Sequence, residues 1–161
     1  MNPQQVSPLA RIVIFAILNF GALGIGGLLL GNPLTNTWYQ QVHKAPWTPP
    51  GWVFGAAWFS IMVCYTAFMY YSTRTVPFSI HRPVYLFFII QWVLNIMWNP
   101  IFFRWHMVGF GLIVIISLGV VVAYFTWYGF RNLTYAGLLM LPYLVWLAIA
   151  ASLNAYVYLY N

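Results

Sequence analysis

Residues 38–58 read WYQQVHKAPWTPPGWVFGAAW, and their reading decides how the rest of the chain is laid out. The stretch lies between two long apolar runs and carries four tryptophans, three prolines and one lysine. Pro46 and the Pro49-Pro50 pair bias their preceding residues away from the helical region, so the first half is predicted not to form a regular helix. The second half is predicted to form one. Pro50 suits a first helical turn, where the missing N–H would be unpaired anyway, and from Gly51 no charge appears until Arg74. The stretch is therefore an ordered, aromatic-rich loop that runs straight into a membrane helix. Trp and Tyr rings settle at the headgroup level, so the plain reading is an interfacial aromatic belt. The sharper reading is a lid over a pocket.

A spanning helix needs about 20 apolar residues. The chain supplies five such runs, near 10–31, 51–73, 83–103, 107–130 and 134–158. The predicted fold is an all-α membrane protein, a single domain over 1–161 made of five transmembrane helices, with the long first loop as a lid. Arg11 followed by Ile12 to Leu30 resembles a signal peptide, but the run is long enough to span and lacks a convincing cleavage site, so it is read as a helix. The later connections, near 74–82, 104–106 and 131–133, are short and predict that successive helices lie side by side. Arg11, Arg74, Arg82 and Arg131 fall on one face, and Lys44 and Arg104 on the other. The excess predicts an N-terminus inside and the long loop outside. A bacterial cell membrane is the expected location.

Composition agrees and excludes a good deal. Of 161 residues, 63% are hydrophobic and 21% aromatic, outside the soluble range. There is no Asp or Glu. That removes carboxylate acid–base catalysis, Ca²⁺ or Mg²⁺ sites and a Ser-His-Asp triad. The six basic residues are scattered singly and form no nucleic-acid patch. Attraction to anionic headgroups of membrane lipid accounts for them. The single cysteine, Cys64, excludes an intrachain disulfide and a Cys-based zinc site. His43, His81 and His106 fall at predicted membrane edges and not at metal-ligand spacing, so no metal site is expected.

Three runs carry inward stripes. Gln91, Asn95 and Trp98 fall at i, i+4 and i+7, with Asn99 beside them and Pro100 bending or ending the ladder. Tyr143, Trp146, Ala150 and Asn154 share a face of the last run, where Pro142 is expected to kink the helix. Phe54, Trp58, Ile61 and Tyr65 form a third stripe. Amides in hydrocarbon must be paired, so they either glue helices together or hold the polar groups of a ligand. Flat rings with amides and small residues between them suit a flat hydrophobic ligand. The Gly27/Gly31 and Gly51/Gly55 pairs serve tight packing within the bundle or a homodimer seam.

Three blocks together resemble the TspO/MBR family, the tryptophan-rich sensory and translocator proteins. They are Trp38-Tyr39, Lys44 and Trp47-Thr48-Pro49-Pro50 with Trp58; Gln91, Asn95, Trp98 and Pro100 to Phe103; and Pro142-Tyr143, Trp146 and Leu153-Asn154. The resemblance spans nearly the whole chain. It implies a receptor or sensor that binds porphyrins, haem included, and benzodiazepine-type ligands in a pocket among five helices, with no cofactor required. Trp58, Gln91, Asn95, Trp146 and Ala150 match pocket positions, and Phe110 occupies a position that is tryptophan in animal relatives. Tyr39, Trp47, Phe54, Trp98, Tyr143 and Asn154 complete the expected ligand-binding set. Light-dependent porphyrin breakdown is implied for some bacterial relatives, with Trp58 and Trp146 as the matching tryptophans. Transport of a porphyrin or sterol is a third reading, against which stand the short chain and the absence of an inverted repeat. A homodimer is the expected assembly.

Overall fold

The computed structural model describes residues 6–32, 35–74 and 82–161. Helix α1 runs Pro8–Leu30, α2 is the short Thr37–Gln41, and α3 runs Gly51–Thr73. Helix α4, Arg82–Asn99, continues as a π-helical turn over Pro100–Arg104. Helix α5 is Val108–Asn132, and a 3-10 turn, Ala136–Met140, leads into α6, Leu141–Tyr160. Five segments are long and apolar enough to cross a membrane: Pro8–Leu30, Gly51–Thr73, Arg82–Arg104, Val108–Asn132 and Ala136–Tyr160. No strand occurs among the described residues. The chain is an all-α, multi-pass integral membrane protein.

The helix starts follow from local chemistry. Ser7 caps α1 by accepting from the Ala10 N–H at 3.2 Å, with Pro8 in the first turn. Gly31, at φ +73°, ends it in a conformation other residues rarely adopt. Asn36 caps α2 through Oδ1, which accepts from the Tyr39 N–H at 3.0 Å. This short helix corrects the expectation of an irregular first half for residues 38–58: no proline intervenes before Pro46, so one capped turn forms. Pro142 lies in the first turn of α6, directly after the 3-10 turn.

The spans form a closed ring in the order α1, α3, α6, α5, α4 and back to α1. The succession α3 to α4 therefore corrects the side-by-side expectation. Helix α1 packs between them, and they meet across the core through Tyr65 and Phe88, whose ring centroids are 5.8 Å apart. Asn19 of α1 donates to Thr66 Oγ1 of α3 at 3.0 Å, and Trp92 of α4 donates to the Leu18 carbonyl at 2.9 Å. The Arg11 guanidinium donates to the Thr73 carbonyl, tying the start of α1 to the end of α3. Connection 75–81, with the expectation made for His81, lies outside the described residues.

The core is aromatic. Tyr65, Phe68, Phe125, Met140 and Tyr143 are sealed off at its centre. The large apolar side chains left exposed, such as Leu9, Ile17 and Leu28 of α1, face outward, where lipid supplies the solvent. Trp47, Trp52 and Trp105 are exposed near one end of the bundle and Trp127 and Tyr135 near the other, as headgroup belts require. Close packing uses other glycines than expected. A Cβ on Gly129 would sit 2.7 Å from the Gly137 backbone, and one on Gly26 would sit 2.7 Å from the Asn99 amide. Gly27, Gly31, Gly51 and Gly55 have open space beside them, so the expected tight packing of those two pairs within the bundle is corrected.

Candidate functional site

Between α3, α4, α5 and α6 lies a cavity of about 30 Å³. Its wall is Phe54 and Trp58 from the first turns of α3, Asn95 and Trp98 from the last turns of α4, Ile115 and Leu118 from α5, and Trp146, Leu147 and Ala150 from α6. Each pair follows from helical spacing, since i, i+3 and i, i+4 residues share a face. The cavity lies toward the loop end: Trp58 is seven residues into α3, about 10 Å of rise. Phe54 and Trp146 meet edge to face with centroids 5.2 Å apart, and Trp58 meets Tyr143 the same way at 5.8 Å.

The wall is apolar with a few polar groups. The Asn95 amide faces it from α4. The Trp98 Nε1 is buried and has no hydrogen-bond partner among the described residues. One layer deeper, Gln91 is 2% exposed and donates through Nε2 to the Tyr143 hydroxyl at 2.7 Å. Its Oε1 and the Tyr65 hydroxyl are likewise buried and unpartnered. An unpaired buried donor or acceptor costs about 1–3 kcal/mol, so these atoms mark where a further polar group is worth most.

The first loop packs across the same end. The Asn36 Nδ2 donates to the Phe103 carbonyl at 3.0 Å, a group the π-helical turn leaves available. Trp38 stacks on His106 at 4.2 Å, and Tyr39 packs edge to face on Phe103 at 5.0 Å. Burial of Tyr39 pushes its hydroxyl above the ordinary phenol range. Asn161 clasps His43, its Oδ1 accepting from the backbone N–H at 2.9 Å. Trp47 donates to Ser152 Oγ at 3.2 Å on the outside of α6. Val42 and Ala45 are buried beneath.

Among the residues singled out from sequence, Phe54, Trp58, Asn95, Trp98, Trp146 and Ala150 lie on one cavity wall. Gln91 and Tyr143 pair with each other one layer below. Asn154 donates to the Val108 carbonyl at 3.2 Å, holding α6 to the start of α5, and leaves its Oδ1 unpartnered. Tyr39 and Trp47 belong to the loop. Phe110 is 48% exposed and does not line the cavity. Sequence reasoning did not select Ile115, Leu118 and Leu147, whose residue types match the rest of an apolar helix. It also passed over Asn36, although an Asn just before a helical turn is an N-cap signal.

A cavity between four of the five spans, three tryptophans on its wall, and a tryptophan-rich loop at the same end are what the three sequence blocks assemble. The sequence profile of the TspO/MBR family matches residues 13–159. This chain belongs to the TspO/MBR family. It is similar to the tryptophan-rich protein TspO of Archaeoglobus fulgidus, at 33% identity over 149 residues covering 92% of this chain and 96% of the relative. The tryptophan-rich sensory protein of Cereibacter sphaeroides is 32% identical over 73% of this chain and 72% of its own length. The human translocator protein is 30% identical over 73% of this chain and 70% of its own length. TspO/MBR proteins of this kind are thus named for sensing and for translocation.

Proposed function

We propose that this TspO/MBR protein is a membrane receptor or sensor that binds porphyrins, haem among them, and other flat hydrophobic molecules in the cavity between α3, α4, α5 and α6. The observation that carries the reading is the cavity wall. It sets Trp58 and Trp146 from neighbouring helices beside Asn95 and a buried Trp98 N–H without a partner. Rings stack on a macrocycle, and the amide and indole meet its polar edge. Residues 36–48 close the mouth.

The cavity as it stands is small. Pockets that bury a drug-sized molecule hold roughly 300–1,000 Å³, whereas about 30 Å³ suits a water molecule or two. Ligand entry therefore separates the Phe54–Trp146 and Trp58–Tyr143 contacts, each worth about 0.5–1.5 kcal/mol beyond its buried area. The ligand's own stacking replaces them. A titration of the purified protein with protoporphyrin IX, followed by tryptophan quenching, tests the reading. Saturable quenching is expected, and its absence overturns it. Illumination of the same complex tests the second reading, photo-oxidation of the bound ring, because the oxidisable indoles of Trp58 and Trp146 line the cavity.

A further inference from the structure

The chain has six basic side chains and no Asp or Glu, so none of its cations can pair with an acidic side chain of the same chain. Four sit away from the cavity. The Arg11 and Arg74 ends of α1 and α3 lie about 22 Å beyond Trp58 along α3. Lys44 and Arg104 are at the loop end. The Lys44 Nζ sits 4.7 Å from the centre of the Tyr39 ring, and that ring packs on Phe103, the residue before Arg104. Phe103 in turn meets Trp98 of the cavity wall, edge to face at 5.6 Å. Lys44 therefore sits on an aromatic layer that meets the cavity wall, and Arg104, next in the chain to Phe103 of that layer, is exposed as Lys44 is.

The cavity wall itself carries no charged residue. Burying an ionised carboxylate there without a partner is prohibitively costly. The Tyr39 face holds Lys44 in place without neutralising it, since a ring quadrupole attracts a cation but cancels no charge. We infer that Lys44, together with Arg104, forms an anion subsite at the cavity mouth that takes the carboxylate arms of a tetrapyrrole whose uncharged ring lies inside. This subsite rests on the proposed ligand class and divides recognition in two: rings and amides read the macrocycle, and the mouth cations read its acidic edge.

The test compares protoporphyrin IX with its dimethyl ester, which keeps the ring and removes the charge. Both are titrated against the full chain in discs of phosphatidylcholine alone, by tryptophan quenching. Lys44→Met is expected to weaken the acid by about two- to fivefold, the scale of an exposed ion pair, and to leave the ester unchanged. Lys44→Met with Arg104→Met weakens the acid further, and Lys44→Arg keeps it. The acid's advantage shrinks with added salt. If acid and ester weaken together, Lys44 merely steadies the loop through Tyr39, and the subsite is overturned. An unchanged acid-to-ester ratio, with Lys44→Met instead reducing retention of phosphatidylglycerol in discs that contain it, assigns the cations to lipid headgroups and also overturns it. A wild type that binds neither porphyrin sinks the cavity reading and the subsite with it. A wild type that binds both, with a ratio indifferent to Lys44, sinks the subsite alone.

Discussion

The half of the bundle far from Lys44 and the half beside it use the same residue types and pack them differently. In the far half Phe68, Phe125, Met140 and Tyr65 interlock, with Tyr65 and Phe125 centroids 5.9 Å apart and Phe68 and Phe125 5.6 Å apart. Gly129 there lets α5 touch the backbone of the 3-10 turn. In the near half the aromatic rings stand around a gap, and Trp98 keeps a buried N–H unpaired. The helical ladder also changes there, from α to π at Pro100. Aromatic content alone thus does not make a binding box. Space beside the rings separates the two halves. Membrane helices gain little from hiding apolar surface from lipid, so tight contact must hold the bundle somewhere. In the far half Gly129 and the interlocked rings supply such contact.

Substitutions in the two halves should accordingly read out in different measurements. The largest effect belongs to the far half. Phe68→Ala should cost about 3–5 kcal/mol of stability by leaving a void among fully packed rings. A fall in thermal unfolding midpoint checks this, and a midpoint within a degree or two of wild type would mean that the far half does not carry the fold. Gly129→Ala follows, at about 1–3 kcal/mol, because a methyl there meets backbone rather than a flexible side chain. The same thermal measurement applies.

In the near half Asn95→Leu should leave the midpoint in place and weaken porphyrin binding by about 1–2 kcal/mol, the scale of a lost hydrogen bond. Unfolding with unchanged affinity would instead make Asn95 a helix–helix contact and erase the contrast. Asn36→Ala removes both the α2 cap and the bond to the Phe103 carbonyl. The loss is about 1 kcal/mol, and it should appear as faster amide exchange over residues 36–48 with the far half unaffected. The smallest effect on affinity is expected from Trp58→Phe with Trp146→Phe, which keeps most of the stacking and removes two of the three oxidisable indoles on the wall. If light-driven loss of bound porphyrin stops in this variant, the cavity does chemistry as well as binding. An unchanged loss, measured against a dark competitor that displaces the porphyrin, removes the case for chemistry built on Trp58 and Trp146.

The sequence by itself determined the membrane, the five spans and the family. A run of about 20 apolar residues can satisfy its backbone in lipid only as a helix, so each span was legible from composition to within two residues or so. The stripes were legible too, because helical spacing is a local property: Asn95 and Trp98 share a face wherever α4 is placed. Tertiary structure alone decided which stripes meet. Helix α1 inserts between α3 and α4, and this places Gln91 against Tyr143, in the layer below the cavity that Asn95 lines. Phe110 sits outward, and Ile115 and Leu118 complete the wall, although nothing in their residue types separates inward from lipid-facing. The glycines divide the same way. Their spacing was plain, but whether a neighbour lies against Gly129 or open space beside Gly27 depends on how whole helices are set against each other. In lipid both faces of a helix are apolar, so hydrophobicity cannot mark the inside. That choice falls to packing and to the few polar groups that must find partners.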